Sequence, residues 1–205
     1  MSMNASPALA LNNLSASADC DLVLRAVTGR EDGFEELVRR YQRPIAAYVY
    51  RMVGDYEAAL DLTQEVFIKV YNSLRRYRSE FKFSTWIYKI AHNAAVDHLR
   101  RYNTRGGQSL TAEHDGEQYD LPIESRRLSP EQESERAERR TQIERIVRQL
   151  PSAYKELVLL RHSHDMSYDE IAEVTGLPLG TVKNRLFRAR ETMRQQFIQR
   201  GITSV

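Results

Sequence analysis

The chain has 205 residues, 41% apolar and 28% charged, with a formal net charge of +2 and one cysteine, Cys20. That length holds one ordinary domain or two small ones, and a lone thiol excludes an internal disulfide and a cysteine-based metal site. No apolar run approaches the ~18 residues of a membrane span, and "MSMNASPALALNNLSASADC" lacks the basic and apolar segments of a signal peptide, so a cytoplasmic protein is expected.

Residues 1–18 are small and polar and read as a disordered tail. Residues 19–102 carry helical apolar spacing, interrupted at Gly29, Gly54 and "RSEFKFS". Within "EAALDLTQEVFIKVYNSL", Leu60, Phe67, Val70, Tyr71 and Leu74 gather on one side as a core face. Asp61, Glu65, Ile68 and Asn72 gather on another, with Gln64 beside them. Two carboxylates one turn apart could serve acid–base or metal chemistry. No histidine lies within a helical turn of either, however, and no second Glu-x-x-His element exists. A docking face for a basic partner is the better fit.

The stretch "FKFSTWIYKIAHNAAVDHLRRY" (81–102) holds the only tryptophan. Read as a helix from about Phe83, it puts Phe83, Ile87, Ile90, Ala91, Ala94 and His98 on a core face, with Tyr88, Ala95, Leu99 and Tyr102 on a second apolar side. A strip remains: Trp86, Lys89, Asn93, Val96 and Arg100. An aromatic platform edged by cations suits unstacked bases and their phosphates. The preceding basic, aromatic loop, with Phe81, Lys82, Phe83 and Ser84, could receive a base taken out of the stack.

Residues 103–134 contain Gly-Gly, two prolines, few apolar residues and net acid, and are expected to form a flexible linker. The segments on either side are basic, Arg75–Arg105 before it and Leu177–Arg200 near the end. Two basic patches separated by an acidic spacer suit contact with a polyanion at two places.

Helical periodicity returns over 135–200. In "MSYDEIAEVTGLPLGTVKNRLFRARE", Ser167 and Glu170 have the spacing of a capping box, with Met166 and Ile171 placed as a hydrophobic staple. Gly176 suits a left-handed helix stop and Pro178 the first turn of the next helix. Helix, glycine turn and helix make a helix-turn-helix. On its second helix Val182, Leu186, Ala189 and Met193 should pack inward, leaving Lys183, Asn184, Phe187 and Glu191 opposite, with Arg188 at the flank. Phe187 can meet thymine methyl groups in a major groove, while Lys183, Asn184 and Arg188 reach base edges or phosphates. Thr181, Arg190 and Arg194 fit backbone contacts.

The expected fold is therefore all-α: two small helical domains joined by a flexible acidic linker, the C-terminal one containing the helix-turn-helix. Two other classes are weighed against a two-site nucleic-acid binder. A conventional helix-turn-helix regulator would use its N-terminal half as a sensor or dimerisation domain, with no need of a tryptophan beside basic residues. An enzyme would have to use "HSHD" (162–165), for which nothing supplies a third ligand or a nucleophile. No cofactor, metal or small-molecule substrate is expected.

Taken in order, "FEELVRRYQRPIAAYVYRMVGD", "DLTQEVFIKVY", "FSTWIYKIAHNAAVDHLRR", "LPSAYKELVLLR" and the helix-turn-helix segment resemble bacterial sigma factors of the extracytoplasmic-function (ECF) group. The resemblance implies that 19–102 is a region 2 domain and 135–200 a region 4 domain. Asp61, Gln64, Glu65 and Ile68 would then dock on the β′ clamp helices of core RNA polymerase, and the C-terminal domain would also reach the β flap. Phe81, Lys82, Phe83, Ser84, Trp86, Lys89, Asn93 and Arg100 would open the promoter −10 element, one non-template base flipping into the loop. Lys183, Asn184, Phe187 and Arg188 would read the −35 element as duplex. The linker would thread towards the polymerase cleft. An anti-sigma factor, membrane-anchored in many such systems, would sequester the chain by covering both faces. His92 stands where arginine is common, which puts a phosphate contact in doubt.

Overall fold

The computed structural model describes residues 18–78, 80, 82–104 and 141–200, and no β-strand occurs among them. The chain divides into two compact units, Met1–Ser109 and Leu110–Val205. Both are helical, as the periodicity requires. Of the expected tail, residues 1–17 lie outside the described residues, and residue 18 already begins a helix. Of the expected linker, residues from 105 onward also lie outside, while 103 and 104 still belong to a helix.

The N-terminal unit contains α1 (18–27), α2 (Glu31–Val53), α3 (Tyr56–Ser73), a 3-10 turn (Leu74–Arg76) and α4 (Phe83–Thr104). Two back-to-back caps separate α2 from α3. Gly54 adopts φ +80° and donates its N–H to the Tyr50 carbonyl at 2.8 Å; the Asp55 carboxylate accepts from the Ala58 N–H at 2.7 Å. A left-handed stop followed at once by a side-chain N-cap lets a two-residue connection end one helix and start the next.

Helices α2, α3 and α4 pack pairwise. Their shared core is Leu37, Ile45, Tyr48 and Val49 from α2, Val66 and Val70 from α3, and Phe83, Ile87, Ala91 and Ala95 from α4, all fully buried. Each large apolar side chain there contributes about 1.5–3 kcal/mol. Three expected core residues are outside instead: Leu60 is 38% exposed, Tyr71 64% and Tyr102 47%. The contact arc of α3 is filled by Leu62, Val66, Phe67 and Val70. Leu60 and Tyr71 lie beyond its edge, the Tyr71 ring leaning on Phe34 at 5.0 Å between centroids. On α4 burial stops at Ala95, so Tyr102 projects past the core, and His98 and Leu99 are only half-buried.

The C-terminal unit contains α5 (141–148), α6 (Ser152–Ser163), α7 (Tyr168–Thr175) and α8 (Leu179–Gln199). The capping box forms: Glu170 N–H donates to Ser167 Oγ at 3.2 Å, and Ser167 N–H donates to the Glu170 carboxylate at 2.8 Å. Gly176, at φ +69°, ends α7 by donating to the Ala172 carbonyl at 2.9 Å. The Pro178 carbonyl then accepts from Thr181 and Val182 and starts α8. Helices α6, α7 and α8 pack on one another around Leu157, Leu160, Ile171, Val182, Leu186 and Ala189, all buried. Met193, expected inside, is half-buried, and the buried line of α8 passes on to Phe197.

Candidate nucleic-acid interface

The geometry of α8 follows from its buried line. Because Val182, Leu186 and Ala189 face α6 and α7, the opposite side must face solvent. Lys183, Asn184, Phe187 and Arg188 are all exposed there, Phe187 at 62%. A ring of that size left in water beside two cations is the unusual feature of this face, since aromatic groups normally recover apolar burial. At the start of α8, Tyr154, Gly180, Thr181, Asn184, Arg185 and Arg188 line an open cleft of about 450 Å³. Thr181 sits half-buried on its wall.

The two outer arginines differ from a simple solvated fringe. Arg190 is exposed but donates to the Tyr168 hydroxyl at 3.2 Å and to the Leu186 carbonyl at 3.3 Å. Arg161 stands over the same Tyr168 ring, 5.4 Å from its centroid. Tyr168 therefore fixes the guanidinium of Arg190 at the first turn of α7. Arg194 is exposed and reaches Glu191 at 3.5 Å, a surface pair of small energetic weight.

Behind the cleft, Glu156 on α6 is half-buried, and burial pushes its carboxyl up to about 7, with Arg185 pulling it back down. Its folded pKa thus lies above the ordinary carboxylate value. The stabilising contribution is complete below the unfolded pKa and is lost as pH rises through about 7. Glu156→Gln is accordingly expected to match the parent at pH 4 and to exceed it above pH 7, by about 1–3 kcal/mol. Urea unfolding of the full chain at the two pH values measures the difference; equal stability at pH 8 would refute it.

In the N-terminal unit, Trp86 is half-buried, its ring 5.4 Å from Tyr77 and 5.7 Å from Phe83 between centroids. Lys82, Ser84 and Lys89 are half-buried and Asn93 and Arg100 exposed, Arg100 lying 3.6 Å from Asp97. Trp86, Lys89, Asn93 and Arg100 share one strip of α4 about 21 Å long, at 1.5 Å per residue. Phe83 does not join them. It is fully buried, with Tyr41, Tyr77 and Trp86 around it, so it supports the platform from beneath and presents nothing to a ligand. Phe81 lies outside the described residues. His92 is 7% exposed, with Nδ1 3.3 Å from the Tyr48 hydroxyl, and burial lowers its pKa. A neutral histidine inside the core is withdrawn from any phosphate.

On α3, Asp61, Gln64, Glu65 and Ile68 are all exposed, Ile68 at 61%. Leu60 and Tyr71, misplaced in the core by periodicity alone, extend this surface into an apolar strip edged by carboxylates. Their position at the rim of the apolar arc was the one signal available.

An exposed basic face on the second helix of a helix-turn-helix and, in a second unit, a tryptophan strip lined with cations have the surface chemistry that suits nucleic acid. Comparison with known proteins names the class. Residues 37–105 match Sigma-70 region 2 and residues 140–193 match Sigma-70, region 4. The chain is 35% identical over 181 residues to the RNA polymerase sigma-H factor of Pseudomonas aeruginosa, covering 88% of this chain and 94% of that one. It is 36% identical over 174 residues to the ECF RNA polymerase sigma-E factor of Haemophilus influenzae, covering 84% and 92%. The fold is also that of the sigma factor RpoE of Bartonella quintana, solved in complex with the anti-sigma factor NepR (TM-score 0.60, 18% identity, 79% of this chain and 94% of that one). The chain belongs to the sigma-70 family, in its ECF group. It is a sigma factor, which binds core RNA polymerase and directs it to promoters to initiate transcription.

Proposed function

We propose that the three surfaces divide this work between them. Asp61, Gln64, Glu65 and Ile68 on α3 dock on the β′ clamp helices. Trp86, with Lys82, Ser84, Lys89, Asn93 and Arg100, holds the opened −10 element. Lys183, Asn184, Phe187 and Arg188 read the −35 element in the major groove, with Thr181, Arg190 and Arg194 on phosphates. The region 4 domain, residues 135–200, also meets the β flap, and the stretch expected as linker, 103–134, serves as the tether once α4 has ended at Thr104. The observation that carries the reading is Phe187, exposed between cations on the second helix of a capped helix-turn-helix.

The regulon is a dedicated, stress-linked set of genes, in keeping with the ECF relatives. The chain acts in the cytoplasm; no described helix is long and apolar enough to cross a membrane. It carries no catalysis of its own, as its relatives are sigma factors and not enzymes. An anti-sigma factor binds the chain when the genes are silent, in keeping with the Bartonella relative having been solved in complex with one, and on this reading it covers the α3 and α8 faces.

Each surface alone gives modest, salt-sensitive affinity through phosphate contacts. Joined by a tether and held at fixed separation by polymerase, the two bind as one, and such linkage is worth about 10²–10⁴ in affinity. The free chain is therefore expected to bind promoter duplex at least about a hundredfold more weakly than the holoenzyme does. Fluorescence anisotropy with labelled promoter, with and without core polymerase, measures the ratio. Equal affinities would favour a conventional regulator.

A further inference from the structure

Helix α1 (18–27) precedes the residues matched to Sigma-70 region 2, which begin at 37. Two contacts tie it to the rings beneath the −10 surface. Asp19 is 2% exposed, and its carboxylate accepts hydrogen bonds from the Tyr41 hydroxyl and from Arg40 Nη1, the latter at 3.1 Å. The Tyr41 ring meets Phe83 edge-on at 5.2 Å, and Phe83 meets Trp86 at 5.7 Å. Cys20, the next residue, has its Sγ 3.9 Å from the hydroxyl of Tyr77, whose ring touches both Phe83 and Trp86. Adjacent residues of α1 thus reach two rings of the group that fixes Trp86.

The seat of α1 is also tightly specified. A Cβ placed at Gly33 would lie 2.6 Å from the Leu22 carbonyl oxygen and 2.8 Å from the Ala26 nitrogen, so α2 admits α1 only because this residue is glycine. A buried carboxylate adds a second constraint: Asp19 is tolerable inside only where its partners stand, so the helix cannot slide as a purely apolar one could.

We propose that α1 is a positioning brace for promoter opening: Asp19 through Tyr41, and Cys20 through Tyr77, hold Phe83 and Trp86 in the attitude that receives opened DNA. Asp19 and Tyr41 are positioning residues and make no contact with nucleic acid. The proposal rests on the reading of the Trp86 strip as the −10 surface.

Trp86 is the only tryptophan in the chain, so its fluorescence reports on the group directly. Tyr41→Phe keeps the ring and removes the hydroxyl; Gly33→Ala lifts α1 without altering any ring. Quenching is read on the free full chain, and promoter opening on the full chain with core polymerase. The expected result is that Trp86 becomes more accessible to acrylamide and open-complex formation slows roughly tenfold, while core affinity holds.

Trp86→Ala separates the two levels of the claim. If it slows opening while Tyr41→Phe and Gly33→Ala open at the wild-type rate, the brace is wrong and the surface stands. If Trp86→Ala itself opens normally, the surface reading fails and the brace with it. Slow opening in Tyr41→Phe with unchanged Trp86 quenching, or with core affinity falling in parallel, would also overturn the brace.

Discussion

A chain carrying Asp61→Ala and Ile68→Ala together is expected to lose at least about a hundredfold in affinity for core RNA polymerase, and nearly all promoter-directed transcription with it. Both side chains are exposed on α3, outside the arc that packs on α2 and α4. Exposed substitutions of this kind typically move stability by no more than about 0.5 kcal/mol, and alanine suits a helix interior. The loss must therefore come from the partner. An apolar side chain fully desolvated at the centre of an interface costs about 2 kcal/mol or more when truncated. A carboxylate removed from opposite a basic surface slows encounter as well as weakening the complex. Competition binding to core polymerase gives the number, and the fluorescence of Trp86, which lies in the same helical unit as α3, is the control that the fold is intact. Unchanged core affinity would remove α3 from the docking surface.

Phe187→Ala is expected to weaken holoenzyme binding by about 1–3 kcal/mol at its own promoters while leaving non-specific DNA binding nearly untouched. The ring is 62% exposed on the solvent side of α8, so little core packing is lost with it and the expected effect is one of recognition. Arg194→Ala should behave in the opposite way, weakening binding to all sequences alike and reducing the salt slope by about one. Affinities for matched and scrambled −35 elements at several salt concentrations separate the two. A uniform loss in Phe187→Ala would demote the ring from reading sequence to covering surface.

What could be read directly from the chain were the features whose chemistry is local. Ser167 and Glu170 cap one another three residues apart, and Gly176 needs only its own freedom at φ +69°. The face carrying Lys183, Asn184, Phe187 and Arg188 follows from period alone once Val182 and Leu186 are buried. Tertiary choices were hidden. Periodicity shows that α3 and α4 each have a wide apolar arc, but not how much of it neighbours will cover. Leu60, Tyr71 and Tyr102 fell outside for that reason, whereas Phe83 is buried as its spacing predicts. Asp19 gives no local sign that its partner Tyr41 stands 22 residues away. His92 likewise looks like a polar residue on a basic helix until Tyr48 is seen beside it.

The measurement that bears most directly on the central claim is genome-wide run-off transcription with purified core RNA polymerase, with and without this chain. The account predicts new start sites that appear only with the chain present and share two upstream elements at fixed spacing. Duplex binding by the chain with no new starts would contradict it, leaving a conventional regulator whose tryptophan helix is only a core element with a basic edge.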